Sequence, residues 1–524
     1  MGSFTFSRKD LDQITALGIT EQQVVSQLEV FQRSSPYVRL KRPCTIGDGI
    51  HVIPEEGLLP LSEYHREAAK RGRCLKLVPA SGAATRMFEL PLWLYTHEPR
   101  VERDEIAGRA KAGEGKCKDL LAFIDRIDCF AFFDALKGVM AKEGLDIHAL
   151  MEGGRFEEIF EYLLTPRGLN YANLPKGMIK FHQYPDESRT AFEEHLVEAA
   201  EYVRSAQGSC RLHSTVSPEH REGFEMLLEK VRPLYEGKYH VRFQVDFSVQ
   251  RQSTNTIAVD LENRPFRLAD GSLLFRPAGH GALIENLNNL KGDIIFIKNI
   301  DNIVPDRLKE TTFKWKKALA GYLLKIQKRI FSYMEELAGG THEEEFFREV
   351  LDFIRTELFL PIPEGLRLES IEGKRGFLLS MLNRPLRVCG QVPSQGEPGG
   401  GPFWVEGKDG ALSMQIVERA QVDPNSVEQQ GIWGSATHFN PVDIVCGVRD
   451  YRGNPFDLRQ YVDPYAIVIT TKSRDGRELK ALELPGLWNG AMAGWITVFV
   501  EVPLITFNPV KTMNDLLRNE HQPQ

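Results

Sequence analysis

The sequence predicts an α/β protein in which helices cover a mixed, mainly parallel sheet. Short apolar segments alternate with helical segments through the middle of the chain, which is the pattern of parallel strands joined by crossover helices. The last third is richer in strands and turns. A chain of 524 residues with 42% hydrophobic residues can bury a sizeable core. Its 44 glycines and 29 prolines are near ordinary usage, which excludes collagen-like and disordered classes.

The first part of the chain is predicted to be helical. Residues 1–73 are expected to form a polar helical segment. An apolar strand at 74–78 follows, and a turn of small residues then leads into a helix that starts at Thr85. Residues 98–165 are charged, but apolar side chains recur in them at helical spacing. This stretch is therefore predicted to be an inserted helical subdomain.

Strands and helices alternate again after this insertion. The predicted strands are at 178–182, 211–216, 241–249 and 294–298. Helices are predicted at 190–206 and over 306–358, and a further helix is predicted to begin at Pro218 with Ser217 as its N-cap. Residues 385–510 are rich in strands and turns. The predicted domains are an N-terminal helical segment at 1–73, a core at 74–384 that contains the helical insertion, and a strand-rich part at 385–524 that completes the core.

Charge and cysteine content exclude several classes of function. The chain has 65 basic and 72 acidic residues, a net charge of −7, which argues against a nucleic-acid coat and against attraction to anionic membranes. None of the seven cysteines forms a CxxC pair, so neither a disulfide framework nor a zinc site is predicted. The N-terminal residues lack an apolar signal core, and glycines and prolines interrupt the longest uncharged run. A cytoplasmic protein without nucleic-acid or membrane partners is expected.

Residues 77–87 (LVPASGAATRM) form the first segment that suggests chemistry. A strand ends there, small residues turn the chain, and a helix is expected to begin. Such a loop lets backbone N–H groups approach a phosphate, and a helix N-terminus adds a favourable dipole. Arg86 would add a positive charge. The alternative is a tight turn chosen for packing, because such motifs are degenerate.

Four further segments each carry a weak signal. Lys176 lies between Pro and Gly at a strand entrance (PKGM), although an exposed turn explains it equally well. A Gly-His-Gly loop at 279–281 suggests close approach of the backbone to a flat ligand, or else a structural histidine. Asp301 follows an apolar strand, at the sheet edge where ligands of α/β proteins bind. It is either a loop cap or a Mg²⁺ ligand. Lys511, in FNPVK, would otherwise be a surface lysine.

In this order, the five segments resemble the motifs of the UDP-sugar pyrophosphorylases, nucleotidyltransferases of the GT-A-like (Rossmann-like) fold. Residues 81–87 look like the loop that binds nucleotide phosphates in that family, PKGM at 175–178 is similar to its Pro-Lys-Gly segment, and 277–281 is similar to the element that contacts the nucleoside. Asp301-Asn302 resembles the metal-binding pair, and PVK at 509–511 the segment with the phosphate-binding lysine. The resemblance runs from about 74 to 517 and implies a bacterial branch of the superfamily.

The resemblance implies the reaction and the roles of the residues. An NTP and a sugar 1-phosphate would react to give an NDP-sugar and pyrophosphate, and the resemblance implies that the NTP is UTP. Arg86 and Lys176 would steady the triphosphate, Lys511 the sugar phosphate, and Asp301 a Mg²⁺ cofactor. The implied nucleotide-binding residues are Ser81, Gly82, Ala83, Ala84, Thr85, Gly279, His280 and Gly281. Two later loops offer sugar-binding candidates, with flexible turns as the alternative: Glu397, Gly399, Gly400 and Asn489.

Departures from the family pattern leave alternatives open. Ala84 replaces the last glycine of the first loop and is expected to crowd the backbone where phosphate would sit. The helical insertion separates Arg86 from Lys176 by about ninety residues. A non-catalytic protein that binds nucleotides or nucleotide-sugars on the same fold is therefore the second hypothesis. A third is a protein-interaction role for the helices at 98–165 and 306–358, whose charge pattern any solvated helix shows.

Overall fold

The computed structural model describes residues 4–32, 37–97, 102–340, 343–363, 365–366, 370–396 and 399–523. The chain divides into two compact units. The first unit comprises Met1–Leu75, Ser248–Ile297 and Lys317–Leu504. The second unit comprises Lys76–Phe247, Lys298–Lys316 and Ile505–Gln524.

Helices and strands are numbered in chain order. The helices are α1 (Arg8–Ala16), α2 (Glu21–Gln32), α3 (Glu55–Lys70), α4 (Glu89–His97), α5 (Arg103–Lys111), α6 (Gly115–Asp125), α7 (Phe133–Lys142), α8 (Ile147–Glu152), α9 (Phe156–Leu164), α10 (Ala191–Tyr202), α11 (Arg221–Tyr239), α12 (Leu283–Asn289), α13 (Asp306–Gly339), α14 (Glu344–Thr356), α15 (Ile371–Leu382) and α16 (Val427–Gly434). The strands are β1 (Arg39–Pro43), β2 (Thr45–Ile46), β3 (Gly49–His51), β4 (Cys74–Pro79), β5 (Lys180–Gln183), β6 (Ser188–Thr190), β7 (Ser209–Val216), β8 (Arg242–Val249), β9 (Thr256–Ile257), β10 (Phe275–Arg276), β11 (Ile294–Lys298), β12 (Leu386–Pro393), β13 (Gly400–Glu406), β14 (Leu412–Glu418), β15 (His438–Phe439), β16 (Asp443–Gly447), β17 (Val468–Arg474), β18 (Arg477–Glu483) and β19 (Ile496–Glu501).

The first unit is built on a mixed sheet with the strand order β2-β3-β19-β12-β16-β11. The pairs β2–β3, β3–β19 and β19–β12 are parallel, whereas β12–β16 is antiparallel. Strands β12, β16 and β19 are buried over nearly their whole length, as expected for strands covered on both faces. Smaller antiparallel groups, β1-β13-β14, β9-β10 and β17-β18, complete this unit.

The second unit places β4 parallel to β7, and β8 lies on the other side of β7. The register pairs Lys76 with Leu212 and Pro79 with Thr215, so β4 delivers the small-residue loop to the carboxyl end of these strands. Helices α5 to α9 lie within residues 98–165, the stretch predicted to be a helical insertion. Helix α10 follows with a capping box, in which the Thr190 side chain accepts the N–H of Glu193.

The α/β class with a largely parallel sheet is confirmed, and β11 has the predicted limits of 294–298. None of the helices in the described ranges has both the length and the apolarity that a membrane span requires. Residues 1–73 are less purely helical than predicted, because β1, β2 and β3 lie among them. The finer GT-A-like assignment and the domain limits at 73 and 384 remain predictions.

The helix predicted from Thr85 is wrong. A single 3₁₀ turn covers Ala84–Arg86, and α4 begins only at Glu89. Pro91 favours the later start, since proline has no N–H to donate and is accommodated best in the first turn of a helix. Ser217 also differs from its prediction. It stands before a 3₁₀ turn, Pro218–His220, and its side chain makes no capping bond.

Candidate functional site

The small-residue loop after β4 is fixed against the Pro-Lys-Gly segment within the second unit. The N–H of Lys176 donates to the Gly82 carbonyl at 3.1 Å, and the N–H of Ala84 donates to the Leu174 carbonyl at 3.0 Å. These bonds flank an antiparallel bridge between Ala83 and Pro175. Two segments that are about ninety residues apart in sequence therefore lie side by side.

The loop leaves part of its backbone available to an anion. In the described part of the chain, the N–H groups of Ser81, Gly82 and Ala83 donate to no backbone carbonyl, and Gly82 and Ala83 are exposed. Ala84 is fully buried, so neither its N–H nor its methyl group faces solvent. The crowding expected from this alanine is therefore not found at the loop surface. The same burial removes the Ala84 amide from the groups that a phosphate could reach.

Three charged side chains from distant parts of the chain meet beside this loop. Asp301 lies three residues past β11, and its Oδ2 accepts Lys176 Nζ at 2.8 Å and Lys511 Nζ at 3.0 Å. Lys176 Nζ also donates to the Val510 carbonyl at 2.8 Å. The Lys176 and Asp301 side chains are 12% and 7% exposed, whereas that of Lys511 is 54% exposed. We call Lys176, Asp301 and Lys511 the triad.

The triad carries one more positive than negative charge. Burial alone would raise the pKa of Asp301, but the ammonium groups of Lys176 and Lys511 outweigh it and hold this pKa below the ordinary value. Burial lowers the pKa of Lys176, Asp301 opposes that effect, and Lys511 adds to it. The carboxylate is therefore ionised at neutral pH, and the triad itself has a net positive charge although the chain is acidic overall, with Asp515 as a further carboxylate that acts on Lys176.

The segment that carries Lys511 is held by backbone pairing. The N–H of Val510 donates to the Asp301 carbonyl at 3.0 Å, and Asn302 forms a bridge with Pro509. The Asn302 Oδ1 also accepts the N–H of Asn508 at 2.8 Å. Because these bonds fix residues 508–510 against 301–302, the lysine that follows them is aimed at Asp301.

Arg86 and Thr85 lie in the same loop but outside these contacts. Both side chains are exposed, and in the described ranges the Arg86 guanidinium makes no ion pair. Their assignment to the phosphate site remains a prediction.

The Gly-His-Gly loop lies in the first unit. Gly279 has φ +61°, a left-handed conformation that favours glycine, and its carbonyl accepts Gln250 Nε2 at 2.9 Å. The His280 ring packs 4.8 Å from the ring of Trp488. A Cβ at Gly281 would lie 2.6 Å from the Leu484 carbonyl oxygen, so packing requires this glycine. The two glycines therefore have structural reasons of their own, and their role at a nucleoside remains a prediction.

The predicted sugar-binding residues also belong to the first unit. The Asn489 side chain is buried, its Oδ1 accepts the Gly490 N–H at 2.8 Å, and its Nδ2 faces Gln421 and Glu418. Contact with a sugar would require it to give up these bonds. At Gly399 a Cβ would lie 2.5 Å from the Phe439 ring. Gly400 begins β13, and Glu397 lies outside the described residues.

Several supporting residues escape prediction from the sequence. The Asp515 carboxylate accepts the N–H of Lys511 at 2.8 Å and that of Thr512 at 2.7 Å. Its capping-box pattern with Thr512 was a readable local signal. Glu418, which accepts Trp488 Nε1 at 3.2 Å, has no such signal. Its partner is 70 positions away.

The model of the family described as Domain of unknown function (DUF4301) matches residues 7–522. No curated protein matches the chain.

Solved structures similar to the chain include UDP-sugar pyrophosphorylases, the class that the motif order resembles. UDP-glucose phosphorylase from Trypanosoma brucei is 13% identical, with a TM-score of 0.47 over 98% of this chain and 80% of that one. UDP-N-acetylglucosamine pyrophosphorylase from the same organism is 13% identical, with a TM-score of 0.48 over 98% and 79%. UDP-glucose pyrophosphorylase from Leishmania major is 12% identical, with a TM-score of 0.44 over 99% and 82%.

Proposed function

We propose that this chain, which belongs to the family described as Domain of unknown function (DUF4301), is a nucleotidyltransferase that makes an NDP-sugar and pyrophosphate from an NTP and a sugar 1-phosphate. The observation that carries the proposal is the triad beside the loop of free amides. Four of the five ordered motifs thereby meet in one unit, at the carboxyl end of its strands. UTP is the nucleotide that the resemblance implies.

Nucleotidyl transfer requires no covalent intermediate between the substrate and the protein. An oxygen of the sugar phosphate attacks the α-phosphorus in line, and pyrophosphate leaves. Catalysis then consists of positioning the two phosphates and stabilising the charge that develops on the phosphoryl oxygens. A site with free backbone N–H groups and two ammonium groups suits both tasks.

The two lysines suit different parts of this work. The Lys176 side chain is 12% exposed and is held by both Asp301 and the Val510 carbonyl, so it offers a charge at a fixed position for the triphosphate. Lys511 is half-exposed and has only the carboxylate as a side-chain partner among the described residues. It can turn from Asp301 to an incoming sugar phosphate at little cost, because exposed ion pairs contribute little stability.

The Mg²⁺ cofactor depends on Asp301. Its Oδ2 is taken by the two lysines, but its Oδ1 accepts no hydrogen bond from the described residues. The described ranges contain no group of three His, Cys, Asp or Glu side chains that could hold a metal ion. One carboxylate fits Mg²⁺ where substrate phosphates and water supply the other ligands. Bound there, the ion would neutralise phosphate charge.

A second candidate is a protein that binds a nucleotide or nucleotide-sugar without turnover. The buried Ala84 favours it, because the N–H of this residue is committed to Leu174 and the loop offers one amide fewer. The free amides of Ser81, Gly82 and Ala83 serve binding equally well, so a measurement of turnover separates the two candidates.

The test is release of pyrophosphate from four NTPs, each combined with a panel of sugar 1-phosphates, with and without Mg²⁺. We expect turnover with one NTP, and a loss of about a hundredfold or more in Asp301→Ala and Lys176→Ala, the size found when one transition-state contact is removed. Lys472→Ala, which changes an exposed lysine of the β17–β18 hairpin, is the matched control. Full activity in both site variants would overturn the assignment. Tight binding of a UDP-sugar without turnover across the panel would favour the second candidate.

A further inference from the structure

The segment that carries Lys511 is fastened at its far end by two buried histidines. We call residues 505–523 the strap. Its His521 stacks on His182, with ring centroids 5.3 Å apart and planes 12° from parallel. His521 Nδ1 lies 3.0 Å from His182 Nε2, and His182 Nδ1 lies 2.9 Å from the Glu194 carboxylate. His182 and Glu194 are fully buried and His521 is 1% exposed.

The hydrogen bonds fix where the protons sit. The Glu194 carboxylate only accepts, so His182 Nδ1 carries a proton and donates it. Both imidazoles are neutral at neutral pH, because burial lowers the pKa of each below the ordinary value. His182 Nε2 is then an acceptor, and His521 Nδ1 must be the donor. The result is a one-way chain from His521 through His182 to Glu194.

Charged groups surround this chain on both sides. Glu194 also accepts Lys309 Nζ and the Tyr184 hydroxyl, and Arg189 and Asp306 stand beside them. Burial lowers the pKa of His521 most, and the neighbouring His182 lowers it further. Arg518 of the strap and Arg307 of α13 act in the same direction. The Glu194 carboxylate favours a proton on His182, and the Asn508 backbone carbonyl favours one on His521, but Lys309 and Arg189 already occupy Glu194.

The far end of the strap is coupled to Lys511 through bonds on the strap itself. The N–H of His521 donates to the Arg518 carbonyl at 2.9 Å. The Arg518 guanidinium donates to the carbonyl of Pro509 at 2.6 Å and to that of Asp515 at 3.3 Å. Asp515 in turn accepts the N–H of Lys511 at 2.8 Å. These bonds form a continuous network from the histidines to the triad.

We propose that His521 and His182 are positioning residues which fasten the strap and thereby hold Lys511 at Asp301, and that proton uptake by this pair loosens the fastening. The role of Lys511 rests on the proposed function. A second proton on the pair is poorly accommodated, because the Asn508 carbonyl favours protonated His521 less than burial and the neighbouring His182 oppose it. With both rings protonated, two N–H groups face each other across the 3.0 Å contact.

Other contacts limit how far the strap opens. Val510, Met513, Leu516 and Leu517 are buried, and Asn514 Nδ2 donates to the Asp119 carbonyl at 2.7 Å. Loss of the histidine bond therefore loosens the strap and does not release it. The expected effect is graded, largest around 518–523 and smaller at Lys511.

The test is hydrogen exchange of the full chain, measured peptide by peptide between about pH 5 and 8 and corrected for the intrinsic exchange rate. Wild-type peptides from the strap should lose protection as the pH falls below about 6.5, the ordinary pKa of histidine. His521→Ala should raise their exchange about tenfold at neutral pH, the effect of one lost buried hydrogen bond. His521→Asn should restore protection, because its amide nitrogen replaces Nδ1 as donor to His182. His148→Ala, an exposed histidine of α8, is the control and should change nothing.

The outcomes separate this inference from the proposed function, because exchange reads the strap without any turnover. Strap protection that is independent of pH, a change below about twofold in His521→Ala, or no rescue by His521→Asn overturns the inference even if pyrophosphate is released. The predicted pH profile and rescue support the fastening even if no pyrophosphate is ever released.

Discussion

Asp301→Asn provides the sharpest test of the triad, because it removes the one negative charge between two lysines. Loss of one partner of a buried ion pair costs about 3–5 kcal/mol. That figure applies only to Lys176, whose side chain is 12% exposed and keeps the Val510 carbonyl as a partner. Lys511 is 54% exposed and relaxes into water, so its share is near zero. We expect a destabilisation of about 3 kcal/mol at neutral pH.

Two companion variants isolate the cause of that loss. Lys511→Met should cost less than about 1 kcal/mol, because it removes the exposed cation and leaves the buried pair intact. Asp301→Asn combined with Lys176→Met should recover about 2 kcal/mol relative to Asp301→Asn, because the unpaired buried ammonium group is gone. The opposite order of stabilities would mean that Asp301 is not the counter-ion of Lys176.

The assay is urea unfolding at neutral pH, read by pulsed hydrogen exchange of peptides from the second unit, so that a separate transition of the first unit does not enter the result. A cost below about 1 kcal/mol for Asp301→Asn, or a double variant less stable than the single one, would refute the reasoning.

Glu198→Gln should lower the free energy of unfolding in urea by about 3–5 kcal/mol, since it leaves Lys76 and Lys298 buried without a carboxylate. The control Glu225→Gln, at an exposed glutamate, should lower it by less than about 0.5 kcal/mol. Equal losses in the two variants would contradict the prediction. The pKa values of His182 and His521 lie below the ordinary value in the folded chain, so the unfolded chain binds more protons than the folded chain as the pH falls below about 6.5. The urea midpoint of unfolding should therefore drop between pH 7.5 and 5.5 by more in wild type than in His521→Asn. Equal drops in the two proteins would refute this prediction. Gly279→Ala should lower the free energy of unfolding by about 1 kcal/mol through its positive φ alone, because no atom lies within 4 Å of the added Cβ. Gly281→Ala should lower it by at least about 2 kcal/mol, because the added Cβ would meet the Leu484 carbonyl. Thermal unfolding that gave the reverse order would contradict both expectations.

Local patterns predicted much of the fold. The limits of β11 are predictable because the four apolar residues at 294–297 stand between Gly292-Asp293 and the polar Lys298-Asn299. Such a run has the length of a buried strand, and its ends are marked by residues that strands disfavour. The predicted start of the helix after β4 is too early for one long-range and one local reason. The hydrogen bond from Ala84 to Leu174 and the proline at position 91 compete with the pattern of the sequence.

The contacts of the site depend on long-range pairing that no periodicity reveals. Lys176 and Lys511 are 125 and 210 positions from Asp301. Their residue types were identified through the resemblance, and the shared sheet edge made a meeting plausible, but the choice of one carboxylate oxygen for both lysines is a result of packing. His182 and His521 are 339 positions apart, and no local pattern indicates that they meet.

A second cluster in the same unit shows why the triad differs from a structural ion pair. Glu198 also accepts two lysines, Lys76 and Lys298, but all three side chains are at most 1% exposed, so this cluster is sealed in the interior. The triad has the same composition, yet Lys511 is half-exposed and free amides lie in the adjacent loop. Because burial, and not charge, separates the two clusters, the proposed function assigns the exchange of a carboxylate for an anion from solution to the triad and not to the Glu198 cluster. A phosphate that reached Lys511 would compete with Asp301 directly, so under the proposed function this carboxylate is the counter-ion that holds the site until substrate arrives.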